Sequence, residues 1–366
     1  MQISKLTLTN FRNHENLDLS FPKGATTIVG RNGRGKTNIV EAVHYLATLG
    51  SHRVSQDAPL IQKGHSTATV FANVEKHNRQ AQVELTINFP GTNKVSLNGS
   101  PLSRSKDVLG LVTTVIFSPE DLDLVKGEPA ARRKFIDELS TLLAPKFSNT
   151  RSDYERTLKQ RNTLLKSLGR RSPSTQARAT LDAWDEQLIS SGSEIIFTRL
   201  ENIKKIQPHV TEFGTTISGD TEPLHLNYLN TWLPNEDPDK NLIAEIFRTE
   251  LENRNKDEID RGATLVGPHR DDLNIQLSDM PAKGYASHGQ SWSIAIALRL
   301  AAFKTLREHD DDPILILDDV FAELDERRRN RLISIISDVE QTLITAAVVE
   351  DIPKGLPSHQ LLLEDN

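Results

Sequence analysis

The chain has 366 residues, enough for two domains or for one domain that carries a large insertion. It contains no cysteine, which excludes disulfides, thiolate metal sites and a cysteine nucleophile. The formal net charge of −6 argues mildly against a protein that binds nucleic acid through net charge alone. The first residues lead directly into strand-like alternation, and no apolar run approaches the ~20 residues that span a bilayer. We therefore expect a soluble, cytoplasmic protein with no membrane partner.

Strand patterns dominate the first hundred residues. Apolar and polar residues alternate, as they do in strands with one buried face, at 6–9, 17–21 and 83–89. Residues 97–99 (Leu-Asn-Gly) have the composition of a hairpin turn, and residues 113–117 indicate a further buried strand. The sequence Ser-Pro-Glu-Asp at 118–121 is typical of a helix start, with serine as the N-cap and proline in the first turn.

A phosphate-binding motif occupies residues 30–37, where the sequence reads Gly-Arg-Asn-Gly-Arg-Gly-Lys-Thr. It follows the short strand-like run 26–29 and leads into helical spacing, which is the strand–loop–helix context that this motif requires. In such a loop, backbone N–H groups face the phosphates, Lys36 reaches the β- and γ-phosphates, and the Thr37 hydroxyl holds Mg²⁺. We therefore predict that the chain binds ATP with Mg²⁺, through contacts from Gly30, Arg31, Asn32, Gly33, Arg34, Gly35, Lys36, Thr37 and Asn38.

Between about residue 121 and about residue 206 the pattern changes to helical spacing, interrupted once by turn composition at 169–174. Two antiparallel helices joined at this tip are the simplest geometry. Helical spacing returns at 241–255, and a strand pattern returns at 273–277. We expect a helical lobe at 121–260, inserted between an N-terminal ATPase part at 1–120 and a C-terminal part at 261–366.

Seven basic residues and no acidic residue lie between Arg156 and Arg178, around the predicted tip. Such a run is usually a solvated face, but in an otherwise acidic chain it is equally a candidate for contact with DNA phosphates. No aromatic residue is interleaved, which disfavours stacking on single strands and favours sequence-independent contact with a duplex. The candidate DNA contacts are Lys159, Arg161, Lys166, Arg170 and Arg171.

Residues 313–319 (Pro-Ile-Leu-Ile-Leu-Asp-Asp) indicate a strand buried on both faces that ends in two carboxylates. Ligands of open α/β sheets bind at the carboxyl ends of the strands, so Asp318 is the candidate to hold Mg²⁺ together with Thr37. Asp319 is the candidate to orient or deprotonate the attacking water. Because aspartate is one methylene shorter than the glutamate that is usual at this place, we expect slow hydrolysis with Lys36, Asp318 and Asp319 as catalytic residues. The alternative is that the two acids simply begin a loop.

The stretch Ala-Ser-His-Gly-Gln at 286–290 precedes a helical run at 293–307. Its serine is an ordinary N-cap in one interpretation and an anion contact in the other. In a chain that also has a phosphate-binding loop and two acids after a buried strand, the stretch resembles the signature motif of ABC-type ATPases. This resemblance adds Ser287, Gly289 and Gln290 to the nucleotide contacts. It also implies an ATP-dependent homodimer, because in this class the signature of one subunit caps the γ-phosphate bound by another. Residues 322–325 stand where the class places its D-loop.

Further stretches narrow the class. They are residues 8–13 (Leu-Thr-Asn-Phe-Arg-Asn), 117–122 (Phe-Ser-Pro-Glu-Asp-Leu), 132–137 (Arg-Arg-Lys-Phe-Ile-Asp) and 265–273 (Leu-Val-Gly-Pro-His-Arg-Asp-Asp-Leu). Together with the ATP motifs they resemble the RecF family of bacterial recombination mediators, from about Gln2 to about Thr345. The resemblance implies an α/β fold, namely an SMC-like ABC ATPase head with a mixed sheet core, an antiparallel β subdomain and an inserted helical lobe.

The same resemblance implies a function in DNA repair and replication. Members of the family bind double-stranded DNA as ATP-dependent dimers and act with RecR and RecO at gaps and junctions. There they help to load RecA onto single strands coated with SSB, and their ATP hydrolysis is weak and linked to DNA. Two other hypotheses remain from the motifs alone: an ATPase subunit of a membrane transporter, and a scaffold that is switched by ATP without hydrolysing it.

Some positions depart from the family pattern, and for others two interpretations are open. Histidine fills the second signature position, and residues 343–348 lack the expected threonine run and closing aspartate, so no switch residue is assigned. Glu120 is either close to the γ-phosphate or a helix-capping residue. Arg53 is either a phosphate or partner contact or a solvated side chain. For the stretch at 269–272 (His-Arg-Asp-Asp), internal ion pairs are a better interpretation than a metal site.

Overall fold

The computed structural model describes residues 1–169, 174–219, 222–234, 237–309, 312–352 and 355–363. The chain forms two compact units. The first unit contains Met1–Lys126, Pro208–Leu224 and Leu277–Asn366, and the second contains Gly127–Gln207 and His225–Gln276. These units differ from the ranges expected from the sequence. Residues 121–126 and 208–224 pack with the first unit, and residues 261–276 pack with the second, because tertiary contacts rather than secondary-structure type define a compact unit.

The strands, in chain order, are β1 (Gln2–Phe11), β2 (His14–Ser20), β3 (Gly24–Val29), β4 (Thr67–Lys76), β5 (Arg79–Asn88), β6 (Lys94–Leu97), β7 (Ser100–Pro101), β8 (Thr114–Phe117), β9 (Leu224–Leu229), β10 (Asp272–Leu277), β11 (Met280–Pro281), β12 (Ile314–Asp318), β13 (Gln341–Ala346) and β14 (Ser358–Leu362). The α-helices are α1 (Lys36–Thr48), α2 (Leu122–Lys126), α3 (Pro129–Leu143), α4 (Phe147–Leu168), α5 (Thr175–Ser218), α6 (Lys240–Arg261), α7 (Ala282–Tyr285), α8 (His288–His309) and α9 (Glu326–Ile336).

The core of the first unit is a sheet with strand order β14-β3-β13-β12-β8. Neighbouring strands in it run parallel. Every residue of β8 and β12 is buried, as the two continuous apolar runs predict. Helix α1 packs against β8, β12 and β13, and α8 packs against β8. Because the strands are parallel, the carboxyl ends of β3, β13 and β12 lie side by side at one edge of the sheet.

A second sheet in the same unit is antiparallel, with strand order β2-β1-β4-β5-β6-β7. It contains the alternating patterns found at 6–9, 17–21 and 83–89, and the apolar side chains of β1 at Leu6 and Leu8 are buried on one face. The predicted hairpin turn is confirmed: Asn98 and Gly99, at φ of 52° and 78°, join β6 to β7. The antiparallel subdomain is thus a separate sheet beside the parallel core.

The predicted helix start after β8 is also confirmed. Ser118 and Asp121 form a reciprocal capping box around a short 3₁₀ turn, Pro119–Asp121, that leads into α2. Asp121 also accepts hydrogen bonds from Arg299 of α8, with N···O distances of 2.6 and 3.0 Å. This buried ion pair fixes the segment in which Glu120 is exposed.

The second unit is mainly helical. Helices α4 and α5 flank the predicted break at 169–174, of which residues 170–173 lie outside the described part of the chain. Tyr154 of α4 packs beside Gly192 of α5, while Arg161, further along α4, reaches Asp185, earlier in α5, so the two helices run antiparallel. Their shared core is formed by Phe147, Tyr154, Leu188, Ile189, Ile195, Phe247, Leu251 and Val266.

Helix α5 is longer than its pattern indicates, because it continues past Ile206 and through Pro208 to Ser218. Proline lacks the N–H of one helical hydrogen bond. Val210, Phe213 and Ile217 are buried at helical spacing beyond it, and this burial offsets the lost bond. Among the described residues, no helix combines the length and the apolar composition that a bilayer-spanning segment needs.

Candidate nucleotide-binding site

The phosphate-binding motif lies in the turn between β3 and α1, so the predicted strand–loop–helix context is confirmed. Gly35 forms the N-cap of α1 with a φ of 91°, in the left-handed region. A Cβ atom added at Gly35 would collide with the side chains of Asn13 and His14. Only glycine therefore allows both this backbone conformation and this close approach. The result is a tight loop that leads directly into the N-terminus of α1, and a helix N-terminus is a favourable place for an anion.

Lys36 is buried, with 4% of its surface exposed, although it carries a charge. Its Nζ atom donates to the carbonyl oxygen of Gly30 at 2.7 Å, and it lies 3.3 Å from Asn32 Oδ1 and 3.4 Å from the carbonyl oxygen of Arg31. These acceptors are neutral. In the described part of the chain, the hydrogen-bond acceptors of this buried cation are thus neutral oxygens, which suits the loop to bind an anionic ligand.

Thr37 and Asp318 meet at the carboxyl edge of the sheet. Thr37 Oγ1 donates to Asp318 Oδ1 at 3.0 Å, and Thr345 Oγ1, at the end of β13, donates to the same oxygen at 2.6 Å. Burial raises the pKa of Asp318 to about 6, and the neighbouring charges of Asp319 and Glu120 add to the rise, while the hydrogen bonds from Thr345 and Thr37 oppose it. A buried carboxylate that is costly to ionise is the kind of group that a cation stabilises.

The donor set at this point fits Mg²⁺. A threonine hydroxyl and a carboxylate oxygen are hard ligands, and Mg²⁺ in nucleotide sites takes few protein oxygens and completes its shell with phosphate and water. Thr37 and Asp318 are the predicted pair, and the fold brings them within hydrogen-bonding distance of each other although they are 281 positions apart in the chain.

Asp319 lies directly beyond the end of β12 in a left-handed conformation, with φ of 53°. Its backbone N–H donates to Thr345 Oγ1 at 2.9 Å, and its Oδ1 atom lies 3.3 Å from the same hydroxyl. Thr345 therefore accepts from the backbone of Asp319 and donates to the carboxylate of Asp318. Sequence reasoning missed Thr345, because its role depends on β13 being the neighbour of β12.

A polar network surrounds the first turn of α1. Asn38 Nδ2 donates to Asn13 Oδ1 at 2.7 Å, and Arg53 Nη1 donates to Asn38 Oδ1 at 3.0 Å. Arg53 also lies 3.7 Å from the carboxylate of Glu120 and 3.8 Å from that of Glu41. Arg53 and Glu120 therefore both belong to the surroundings of the phosphate-binding motif.

Glu41 is the buried centre of this network. Arg12 binds it through two hydrogen bonds of 2.7 and 2.9 Å, and the Ser51 hydroxyl donates to it at 2.5 Å. Although burial opposes ionisation, these hydrogen bonds and the charge of Arg12 lower the pKa of Glu41 below its usual value. The stretch 8–13 contributed to the family resemblance, but it did not indicate that Arg12 binds Glu41. That contact requires the β1–β2 turn to lie against α1.

The signature residues lie at the start of α8. Ser287 Oγ accepts from the backbone N–H of Gln290 at 3.2 Å, and the Gln290 side chain accepts from the backbone N–H of Ser287 at 2.9 Å. Ser287 is therefore an N-cap, which is one of the two interpretations of this position. It is also exposed, and Gly289 lies against the guanidinium of Arg328 at the start of α9. In the described part of the chain, the side-chain hydrogen bonds of Ser287 and Gln290 join these two residues and not the phosphate-binding loop.

One candidate DNA contact must be corrected. Arg161 has no exposed surface, and it is held by Asp185 at 2.5 Å, by Glu258 at 2.6 Å and by the Thr264 hydroxyl at 2.8 Å. A guanidinium enclosed in this way cannot reach a DNA phosphate, so Arg161 is a structural residue. Lys159 and Lys166 are exposed, and Arg170 and Arg171 lie outside the described residues.

The sequence indicated internal ion pairs for the stretch 269–272, but the loop at 264–272 is held by hydrogen bonds and an ion pair to residues of other segments. Arg132 forms a two-point ion pair with Asp272 at 2.8 Å, and Tyr228 donates to Asp271 at 2.5 Å. Arg199 binds Asp137 and the carbonyl oxygen of Pro268. Among the described residues, no group of three or more histidine or acidic side chains is placed to hold a metal ion.

The parallel core, the phosphate-binding loop, the two acids that follow β12 and the exposed signature at the start of α8 define an ATPase head of the ABC type, as found in SMC proteins. The family model for the RecF/RecN/SMC N terminal domain matches residues 2–353. The chain is 48% identical to the DNA replication and repair protein RecF of Frankia alni, over 97% of this chain and 96% of that protein. It is 47% identical to the protein of the same name from Streptomyces avermitilis, over 96% and 95% of the two chains. The chain therefore belongs to the RecF family.

Solved structures agree with this assignment. The structure of the recombination mediator protein RecF with ATP superposes with a TM-score of 0.88 at 30% identity, and the match covers 96% of this chain and 93% of the other. The Smc head domain of Pyrococcus furiosus superposes with a TM-score of 0.52 at 18% identity, over 94% of this chain and 89% of that one, and shares the fold. The predicted fold class is confirmed.

Proposed function

We propose that this chain is a cytoplasmic, ATP-switched DNA-binding protein of recombinational repair. In this proposal it dimerises on ATP and binds double-stranded DNA at gaps or junctions. Acting with RecR- and RecO-type partners, it helps to load RecA onto SSB-coated single strands during repair and replication restart. The names of its relatives support this proposal, since they are DNA replication and repair proteins and recombination mediators of the RecFOR pathway. They also favour it over the ATPase subunit of a membrane transporter.

One observation supports the proposed ATP-dependent dimer. The groups that suit a triphosphate are divided between two places: Lys36, Thr37 and Asp318 lie at the sheet edge, whereas Ser287 caps an exposed helix N-terminus and its side chain bonds within its own turn. A helix N-terminus with an exposed hydroxyl suits an anion. A second copy of the chain can therefore complete each pocket, so that ATP favours the closed dimer and hydrolysis reopens it.

The residues at the sheet edge have distinct proposed roles. Backbone N–H groups of the loop and the Lys36 ammonium bind the β- and γ-phosphates, and Thr37 and Asp318 would hold Mg²⁺, which neutralises charge on those phosphates when bound. Asp319 orients the attacking water or accepts its proton, while the bond from the γ-phosphorus to the β–γ bridging oxygen breaks. Asp319 is a short side chain for this task, which is consistent with weak hydrolysis linked to DNA binding.

Sedimentation velocity with and without Mg·ATP and gapped duplex tests the proposal, because one measurement reports dimerisation and DNA binding together. The unmutated chain should sediment as a dimer with ATP, and Ser287→Arg should remain monomeric while it still binds ATP, because a bulky cation blocks the signature surface. Ser103→Arg, an exposed serine of the antiparallel subdomain, is the matched control and should dimerise. An unmutated chain that stays monomeric at saturating Mg·ATP and DNA would refute the proposal.

Phosphate release separates an ATPase from a scaffold that is switched by ATP alone. If the chain hydrolyses ATP as proposed, Asp319→Asn should release phosphate more slowly than the unmutated chain and still form the ATP-dependent dimer. Equal rates in Asp319→Asn, Lys36→Ala and the unmutated chain would support the scaffold instead.

A further inference from the structure

Most of the large apolar side chains that the first unit exposes flank the two halves of the proposed nucleotide site. Among its described residues these side chains are Phe89, Met280, Tyr285, Val348, Val349 and Leu362, which are between 46% and 67% exposed. Single exposed apolar residues are normal on a protein surface, but a concentration of them at a functional edge indicates an interaction site. Phe89 directly follows β5 of the antiparallel sheet, which contributes to neither half.

Three of these side chains flank the phosphate-binding loop. Val348 and Val349 follow the end of β13, and Leu362 ends β14; β13 and β14 are the two neighbours of β3 in the sheet. The backbone confirms their closeness to the loop: the Gly30 N–H donates to the Ala346 carbonyl at 3.3 Å, and the Leu363 N–H donates to the Val29 carbonyl at 2.9 Å. We call Val348, Val349, Glu350, Asp351 and Leu362 the loop-side patch.

The other two flank the signature. Met280 lies in β11 and Tyr285 at the end of α7, two residues before Ser287. Helix α7 packs against α2, whose last residue, Lys126, has its Nζ atom 3.4 Å from His288 Nδ1. We call Lys126, Met280, Lys283, Tyr285 and His288 the signature-side patch.

The two patches carry opposite charges. Glu350 and Asp351 are the charged side chains of residues 344–352, and both are acidic. Lys283 is the charged side chain of residues 280–290, which contain no acid, and Lys126 adds a second cation beside His288. Apolar centres flanked by complementary charges are the composition that favours association of two specific surfaces.

We propose that the loop-side patch of one copy of this chain binds the signature-side patch of a second copy, as a protein–protein contact beside each shared nucleotide. This inference rests on the proposed function, because it assumes that two copies face each other across ATP. A two-fold dimer is self-complementary, so every contact between the two patches occurs twice. The contact adds apolar burial and charge pairing that the nucleotide itself does not supply, and it selects a second copy of this chain as the partner.

The first experiment measures the dimer dissociation constant of the full chain by sedimentation at saturating Mg·ATP. Tyr285→Ala and the double variant Val348→Ser/Val349→Ser should each raise this constant about tenfold or more, because each change is counted at two symmetric contacts. ATP binding to the monomer should not change. Phe89→Ala removes an equally exposed apolar side chain outside both patches, and it should dimerise like the unmutated chain.

The second experiment reverses the charges. Glu350→Lys/Asp351→Lys and Lys126→Glu/Lys283→Glu should each weaken the dimer, since like charges then oppose each other at both contacts. An equimolar mixture of the two double variants should recover a dimer at close to the unmutated constant. In a mixed dimer one contact is native and the other has both of its charges exchanged, so both contacts are complementary.

The outcomes separate the two proposals. If the unmutated chain dimerises with ATP while the patch variants behave like Phe89→Ala, or if the mixture fails to recover, the patches do not meet and the inference is overturned, whereas the proposed function stands. If the unmutated chain does not dimerise, both are overturned. A dimer that is weak in each double variant by itself and recovers in the mixture supports the contact, because two misfolded variants would not restore dimerisation to each other.

Discussion

Buried charges at the sheet edge of the first unit and in the helical core of the second unit have different kinds of partners. In the first unit, Lys36 and Asp318 are buried at the sheet edge and are bound by neutral groups, namely carbonyl, amide and hydroxyl oxygens. In the second unit, the buried Arg161 and Arg199 are bound by carboxylates. A buried charge with neutral partners is suited to bind a charged ligand, whereas a buried charge in an ion pair is already compensated within the fold. Charge and burial alone therefore do not identify a binding residue, but the chemistry of its partners does.

Removing a paired cation should have the largest effect on stability. Arg161→Met leaves Glu258 and Asp185 without their buried counter-charge, so we expect a loss of about 3–5 kcal/mol in the free energy of unfolding of the second unit. Urea denaturation measures it. Lys159→Ala, two positions away and exposed, is the control and should change stability by less than about 0.5 kcal/mol. Recovery in Arg161→Met/Glu258→Leu would show that the loss comes from the isolated carboxylate.

Removing the cation that has neutral partners should affect activity instead. Lys36→Ala deletes a charge aimed at the phosphates, and we expect phosphate release to fall by about 100-fold or more. The urea midpoint should change little by comparison with Arg161→Met, because no buried carboxylate loses a partner. A large loss of stability in Lys36→Ala would remove the distinction between the two kinds of buried charge.

Two neighbouring groups in the second unit should give opposite pH dependences. Burial lowers the pKa of His269 to about 4, in agreement with a neutral ring that donates to the Thr264 carbonyl through Nε2 and accepts from Tyr154 through Nδ1. Burial raises the pKa of Asp271 to about 6. As pH falls below ~6.5, the unfolded state gains a proton at position 269 and folding loses stability. Between pH ~6 and ~4, the folded state gains a proton at position 271 and folding gains stability.

The contributions of His269 and Asp271 to the pH dependence of stability therefore nearly cancel in the unmutated chain. Variants that remove one of the two groups should show the contribution of the other. Between pH 6.5 and 4.5, Asp271→Asn should lose up to about 2 kcal/mol more stability than the unmutated chain, and His269→Gln should lose less stability than the unmutated chain. Urea denaturation at both pH values measures the two differences. Equal slopes in the two variants would contradict the assigned protonation states.

The exposed lysines of α4 should have the smallest effect, seen only in DNA binding. Lys159 and Lys166 lie seven residues apart, on the same face of the helix, so both can contact one phosphate backbone. Lys159→Glu/Lys166→Glu should reduce the salt dependence of duplex affinity by about two units of log–log slope. Lys204→Glu changes another exposed lysine of the same unit and serves as the control. An unaltered slope would place the DNA contact elsewhere.

Local patterns determined much of this protein. The phosphate-binding loop, the buried strand with its two acids, the helix start at Ser118 and the hairpin at Asn98 depend on residues that are adjacent in the chain, and each forms where the sequence predicts it. Backbone conformation and hydrophobic periodicity act over a few residues, so these features can be inferred without knowing what surrounds them.

Tertiary structure alone decided which distant residues complete the site and which cations are available. Thr345 bridges Asp318 and Asp319 only because β13 is the parallel neighbour of β12, and Asn13 reaches Asn38 only because the β1–β2 turn lies against α1. The same applies to Arg161, which belongs to a basic run in the sequence but is enclosed by Asp185 and Glu258. Pairing between segments that are far apart in the chain sets these contacts, and no short pattern around any one residue encodes its partners.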